Sequence, residues 1–153
     1  CVPACYKAAG RAPSRAPEVS RMAFLPRSRA RALALVLLAI AMVGAGSNHF
    51  VAPDFYLPMM PPWLPWHAEL VAISGVFEVL GGLGVLLPQT RRFAGWGLIA
   101  LLIAVYPANL HMALHPELFV ARGFPLAGLY IRLPFQFLFI LWAWWATLPD
   151  DDA

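Results

Sequence analysis

The residue of this sequence with the clearest chemical potential is Glu78, which lies inside a long apolar stretch that reads S-G-V-F-E-V-L-G-G-L-G. An ionisable group surrounded by lipid costs several kcal/mol, so a carboxyl group there is a candidate for proton transfer or ligand binding. On a helix its face would be shared by Ser74, Gly75, Gly81 and Gly82. Because small residues let membrane helices approach closely, Glu78 is predicted to point into a helical bundle.

A second polar stripe is formed by Arg132 and Gln136, which are spaced i and i+4 in another apolar stretch. Arg132 is expected to pair with Glu78, and Glu69 is the alternative partner. Such a pair has two interpretations: it fixes the register of two helices, or it serves as part of a proton relay or substrate site.

Further polar groups stand near the ends of two other apolar stretches, where Asn48 and His49 end one and Asn109 and His111 lie late in another. Two histidines at similar depth on separate helices suggest a bis-histidine haem, or a metal site that also uses His115. Histidines at helix ends more often bond to carbonyl groups or water. Neither haem nor metal is therefore predicted.

The composition indicates which elements must position these groups. Apolar residues make up 61% of the 153-residue chain and charged residues 12%, against about 45–50% and about 25% in soluble proteins. A soluble domain of this length cannot bury that much apolar surface. The lipid bilayer is the expected partner of this surface.

Apolar runs at residues 32–50, 66–87, 93–114 and 126–148 each have about the twenty residues that cross a hydrocarbon core. Helices are predicted rather than strands, because the runs are continuous and helices satisfy their own backbone hydrogen bonds. The sequence predicts an all-α, four-helix transmembrane bundle over residues 31–149. A disordered basic tail at residues 1–30 and an acidic tail at residues 150–153 are expected to flank it.

The cations predict the orientation of the bundle. Arg91 and Arg92 occupy the connection between the second and third runs, and seven other cations precede the first run. These seven are Lys7, Arg11, Arg15, Arg21, Arg27, Arg29 and Arg31. Because cytoplasmic loops hold the excess of Lys and Arg, both termini are predicted to be cytoplasmic. This placement argues against nucleic acid as a partner, despite the net charge of +3.

Two segments keep alternative interpretations. Met22 is a candidate start, and from there the first run also resembles a secretory signal, whose cleavage would leave three spans. The proline-rich residues 53–65 cannot form a regular helix. They are either a stiff interfacial loop on the bilayer or a cover over a pocket between helices.

Strong catalytic motifs are absent from the sequence. There is no G-x-S-x-G, H-E-x-x-H or C-x-x-C, and Cys1 and Cys5 are spaced C-x3-C. These absences do not exclude an enzyme, but they remove the usual grounds for naming one. A chain without intrinsic catalytic activity is favoured over an enzyme.

Three blocks of this sequence resemble the DoxX family of small bacterial membrane proteins. They are N-H-F followed by V-A-P-D-F-Y-L-P-M-M-P-P-W-L-P, then I-S-G-V-F-E-V-L-G-G-L-G-V-L-L-P-Q-T-R-R-F-A-G-W-G-L-I, and then Y-P-A-N-L-H-M-A. The resemblance covers residues 44–115 and implies a compact four-helix membrane bundle. On the matching positions, the family's characteristic polar residues correspond to Asn48, His49, Glu78, Asn109 and His111.

That family is similar to quinone-linked thiosulfate-oxidising membrane subunits and to MauE-type maturation proteins, although no cysteine lies in a span here. The resemblance implies an accessory subunit of a redox or respiratory membrane complex, with quinone as a possible ligand and other membrane subunits or further copies of the chain as partners. The alternatives are a quinone-linked oxidoreductase subunit and a small transporter.

Overall fold

A computed structural model describes Pro26 and residues 28–147 of the chain, and within that part all regular structure is helical. The helices are α1 (Arg29–Val51), α2 (Pro53–Tyr56), α3 (His67–Gly84), α4 (Arg91–Leu114), α5 (Pro116–Val120) and α6 (Leu126–Thr147). A single 3-10 turn at Leu57–Met59 follows α2 in the described residues. Among the residues described, α1, α3, α4 and α6 are the four helices long and apolar enough to cross a membrane. The predicted all-α fold with four membrane-crossing helices is confirmed.

The predicted tails fall largely outside this part of the chain. The described residues exclude residues 1–25, residue 27 and residues 148–153. The last of these ranges contains the acidic segment. Helix α1 begins at Arg29, after Ser28 in an extended conformation, so it includes the last residues assigned to the basic tail.

The short connection between α3 and α4 shows why the helix ends differ from the predicted spans. Helix α3 ends at Gly84 rather than residue 87, and α4 begins at Arg91 rather than residue 93. Thr90 Oγ1 donates to the Gly84 carbonyl at 2.8 Å, and Arg91 Nε donates to the Val85 carbonyl at 3.1 Å. These polar side chains satisfy carbonyls that the end of a helix leaves free.

The long helices form a ring in which α1 packs on α3, α3 on α4, α4 on α6, and α6 again on α1. We call the end that holds the α3–α4 connection and the start of α1 the arginine end. The opposite end, which holds residues 52–66 and 115–125, is the proline end. Helices α3 and α6 both run from the proline end to the arginine end, so residue numbers on both increase with distance from the proline end.

Helices α1 and α3 approach closely because glycines line their contact. A Cβ atom added at Gly46 would lie 2.6 Å from the Gly75 carbonyl oxygen, and one at Gly75 would lie 2.8 Å from His49 Cβ. Gly82 faces α1 in the same way near the arginine end, where an added Cβ would lie 3.0 Å from the Ala39 carbonyl oxygen. Of the small-residue face predicted around Glu78, Ser74, Gly75 and Gly82 lie at this contact, whereas Gly81 faces Leu98 of α4.

The buried apolar side chains fall into two clusters. The larger one fills the arginine half of the bundle and includes Leu35, Leu38, Leu98, Ala143 and Ala146. There Trp142 Nε1 also donates to the Ala34 carbonyl at 3.1 Å, which joins α6 to α1. The smaller cluster closes the proline end and consists of Met59, Met112, Phe119 and Leu129.

The outer surface of the long helices is apolar, with exposed side chains such as Leu33, Ile40, Phe77 and Phe93. A continuous apolar surface of this kind requires a nonaqueous environment. Together with the length and hydropathy of the helices, it identifies the chain as a membrane protein.

The proline-rich segment folds back over the bundle. One turn of helix, α2, begins at Pro53, where the missing N–H of proline is not needed. Trp66 adopts a left-handed conformation with φ of 55°, and His67 Nε2 donates to the Pro61 carbonyl at 3.1 Å. The left-handed residue makes α3 begin at His67 rather than residue 66, and the segment is positioned over the space between the helices.

Candidate functional site

A cavity of about 480 Å³ lies inside the bundle, between the two apolar clusters. Its volume is in the range of sites for small organic ligands. Most of the lining is aliphatic, aromatic or methionine, and the polar lining side chains come from each of the long helices and from the proline-rich segment. These polar side chains are His49, Tyr56, Ser74, Glu78, Asn109, Arg132 and Gln136.

The cavity reaches the outside of the bundle beside α6. Two of its lining side chains, Ile131 and Phe135, belong to α6 and are themselves exposed. Because the outside of α6 is apolar, the cavity is accessible to molecules dissolved in lipid.

His49 is fixed at the α1–α3 contact, where its side chain is buried. Its Nδ1 lies 2.9 Å from the Val71 carbonyl oxygen and 3.0 Å from Ser74 Oγ, and Ser74 Oγ itself donates to the same carbonyl at 2.9 Å. Because a carbonyl oxygen accepts only, Nδ1 carries the ring proton. In the neutral imidazole, Nε2 therefore presents a lone pair.

Glu78 faces that nitrogen from α3. Its Oε2 lies 4.0 Å from His49 Nε2, and the side chain is 13% exposed. This separation is longer than a direct hydrogen bond. Within the described residues, Oε2 is buried and has no hydrogen-bond partner.

Arg132 lines the same cavity from α6, nearer the proline end. Its Nη1 lies 3.6 Å from Met59 Sδ, and its guanidinium carbon lies 5.9 Å from the centre of the Phe55 ring. In the described part of the chain, no carboxylate oxygen lies within 4.0 Å of this guanidinium. The expected ion pair with Glu78 or Glu69 is therefore wrong.

Two geometric differences separate Arg132 from its expected partners. Glu69 is exposed on α3 and does not line the cavity, whereas Glu78 lies at a different depth. At 1.5 Å per residue, Glu78 lies about 7–8 Å deeper from the start of α3 than Arg132 lies from the start of α6. The two charged groups therefore line one cavity at different depths.

Gln136 and Asn109 join α6 to α4 across the cavity wall. Asn109 Nδ2 donates to Gln136 Oε1 at 2.6 Å, and Gln136 Nε2 donates to the Leu102 carbonyl. Both helices contain an internal proline, Pro107 in α4 and Pro134 in α6. Each proline removes a backbone donor from its helix, so side-chain hydrogen bonds contribute to holding these helices together.

Asn48 and Tyr56 attach the proline-rich segment to α1. Asn48 Nδ2 donates to the Tyr56 hydroxyl at 2.9 Å, and the Tyr56 ring lies 3.9 Å from the His49 ring, centre to centre. Tyr56 lines the cavity together with Met59 and Met60. Of the two interpretations of the proline-rich segment, the contacts favour the cover over a pocket.

His111 is separate from this site. Its ring lies 4.8 Å from that of His115 at the proline end, and both line a shallower cavity of about 260 Å³ beside Trp63. His115 Nδ1 lies 3.7 Å from Glu117 Oε1. Over residues 28–147, no three His, Cys, Asp or Glu side chains are placed to hold one metal ion.

The structure thus brings together five of the seven candidates from the sequence, namely His49, Glu78, Asn109, Arg132 and Gln136. Asn48 contacts the site through Tyr56, and His111 does not belong to it. Sequence reasoning missed Tyr56, Met59 and Met60 as cavity residues. The available signal was the proline-rich character of residues 53–65, which allowed a cover over a pocket but does not specify the side chains that point inward.

The fold and the site define a class: a small helical membrane protein with a mostly apolar internal cavity that contains a few polar side chains and opens towards lipid. The chain belongs to the family described as a domain of unknown function (DUF8561), whose model matches residues 38–147. The matched region contains all seven candidate residues. The comparisons with curated proteins and with solved structures found no match.

Proposed function

We propose that this protein is an accessory subunit of a redox or respiratory complex in the bacterial inner membrane, and that its internal cavity binds a small lipid-soluble molecule such as a quinone. The observation that carries the proposal is the cavity itself. It is large enough for a ring-sized ligand, mostly apolar, and supplied with a few polar groups at fixed positions.

The proposed redox role rests on the resemblance of residues 44–115 to the DoxX family, and both the role and the resemblance are proposals. The residues that carry the resemblance include His49, Glu78 and Asn109, and each of them lines the cavity. A ligand site at these positions would explain why these polar groups stand where burial is costly.

The proposed orientation places the arginine end and both termini in the cytoplasm. A cysteine-free variant, Cys1→Ser with Cys5→Ser, allows single cysteines to be introduced. Trp63→Cys at the proline end should react with a membrane-impermeant maleimide in intact spheroplasts, and Gln89→Cys should react only after lysis. The reverse pattern would contradict the orientation.

The accessory role is tested with the full chain in its native membrane. After mild solubilisation, the protein should migrate with a redox complex on a native gel, and deletion of its gene should remove that complex or its quinone-dependent activity. The purified chain should not reduce decylubiquinone when thiosulfate is supplied as the electron donor. If deletion leaves respiratory and redox complexes intact in amount and activity, the accessory role is wrong.

A second function, a quinone-linked oxidoreductase subunit, is favoured by one observation. His49 Nε2 and Glu78 Oε2 face each other at 4.0 Å in the cavity, where they are placed to exchange protons with a bound molecule. Reduction of decylubiquinone by the purified chain with thiosulfate as the added electron donor, abolished by Glu78→Gln with the fold intact, would select this alternative over the accessory role.

A further inference from the structure

We propose that the molecule in the cavity carries a ring hydroxyl group, which lies beside Glu78 and His49 within hydrogen-bond distance, and an acceptor oxygen on the opposite edge of the ring, directed at Arg132. This inference rests on the proposed function, because it specifies the ligand class for the same cavity. It predicts that the site prefers a reduced, hydroxyl-bearing ring to the corresponding oxidised dione.

The unpaired oxygen of Glu78 indicates which group the ligand must supply. Glu78 Oε2 is buried and has no hydrogen-bond partner among the described residues. A buried acceptor that stays unpaired costs free energy, and a donor that reaches it recovers that cost. The ligand is therefore expected to place a hydrogen-bond donor beside Glu78 Oε2.

His49 Nε2 faces Glu78 Oε2 and provides a second acceptor beside it. Because Val71 and Ser74 hold the proton of His49 on Nδ1, Nε2 of the neutral ring is also an acceptor. The 4.0 Å between Nε2 and Oε2 leaves them without a direct hydrogen bond. A hydroxyl group beside the pair can donate its proton to either atom.

The positive charge of Arg132 favours a hydroxyl group over an ammonium group, although both can donate a hydrogen bond. Arg132 lines the same cavity without a carboxylate partner in the described part of the chain, so a second cation would be repelled. A neutral hydroxyl group is also much easier to bury than an ammonium group. The methionine and aromatic lining, which includes Met42, Met60 and Phe135, suits a ring.

Arg132 indicates which group stands at the other end of the ligand. Guanidinium carries five N–H donors and no acceptor, and the observed contacts of Arg132 are a thioether sulfur and an aromatic ring. Its remaining donors are suited to an oxygen acceptor. Since Arg132 lies nearer the proline end than Glu78, the two oxygens of the ligand are expected on opposite edges of its ring.

The test measures binding of matched probes to the purified full chain in lipid nanodiscs under anaerobic conditions. The probes are decylubiquinol, decylubiquinone and 4-decylphenol. The quinol should bind about tenfold more tightly than the quinone, the factor expected from one added hydrogen bond to an ionisable group. The phenol, which lacks the second oxygen, should bind more weakly than the quinol. Equal binding of the phenol and the quinol would overturn the contact between the ligand and Arg132.

Two substitutions on one helix provide the matched comparison. Glu78→Gln should reduce the preference for the quinol to less than about threefold, because it replaces the carboxylate by an amide that can itself donate. Glu69→Gln makes the same change at an exposed position of α3 outside the cavity and should leave the preference unchanged. Thermal unfolding of both variants checks that the fold is intact.

The outcomes are distinguishable. If the quinol and the quinone bind equally, or if Glu78→Gln keeps the full preference, the hydroxyl inference is wrong while the cavity remains a quinone site. If no probe binds to the folded wild-type protein, the inference and the proposed ligand both fail.

Discussion

The arginine half and the proline half of the bundle are built from the same helices but packed differently. In the arginine half, Leu35, Leu38, Leu98 and Ala146 fill the space between the helices. In the proline half, the same helices surround a cavity of about 480 Å³ with ionisable groups in its wall. The difference shows that the helix ends near the charged connection supply packing, whereas the opposite half is available for ligand binding.

The largest effect should come from the packed half. Leu38→Ala removes a fully buried side chain and should lower the free energy of unfolding by about 2–4 kcal/mol, because the lost contacts leave a void. Leu102→Ala is the matched change beside the existing cavity and should cost about half as much. Unfolding in mixed micelles measures both, and equal losses would contradict the comparison.

The glycine contact between α1 and α3 should give the next effect. Gly46→Ala places a Cβ 2.6 Å from the Gly75 carbonyl oxygen, and because backbone cannot yield locally, the helices must separate. We expect a loss of about 1–3 kcal/mol and weaker ligand binding. Gly44→Ala is the control, since its added Cβ meets nothing within 4 Å. A stable Gly46→Ala variant with unchanged binding would argue against this contact.

The polar connection between α4 and α6 should contribute less. Gln136→Leu removes the hydrogen bonds to Asn109 and to the Leu102 carbonyl. Hydrogen bonds between membrane helices contribute about 0.6 kcal/mol on average, so the two together should give about 1 kcal/mol in the same unfolding assay. A gain in stability would show that this connection is not structural.

The smallest change in stability should accompany a change in kinetics. Tyr56→Phe keeps the ring over His49 and removes the hydrogen bond from Asn48, so stability should fall by only a few tenths of a kcal/mol. Ligand dissociation should become several-fold faster, because the cover is held less firmly. Tyr130→Phe, at an exposed position of α6, is the control for stopped-flow dissociation, and equal rates in all three proteins would refute the covering role.

The sequence predicted the packed half better than the cavity half. Long apolar runs determine helices, and the glycines around Glu78 indicated a close contact that the structure forms with Gly46 and His49. The partner of Arg132 could not be predicted in this way. It depends on how the proline-rich segment folds, because that segment places Met59 and Phe55 beside the guanidinium.

His111 illustrates the same limit at the proline end. Like Asn109, which is only two residues away, it is a polar residue near the proline end of α4, but the helical rotation between them directs it to His115 rather than into the cavity. Side chains that share a depth therefore share a site only when the helix faces also agree.

Occupancy of the cavity by a lipid-soluble molecule is the central claim, and native mass spectrometry of the protein released from mild detergent tests it most directly. The wild-type chain should retain one small molecule in addition to phospholipid. Ala45→Phe, which inserts a ring into the cavity wall, should lose it, and Gly44→Phe, at an exposed position with open space around it, should keep it. Equal retention by both variants, or none by the wild-type protein, would contradict the claim.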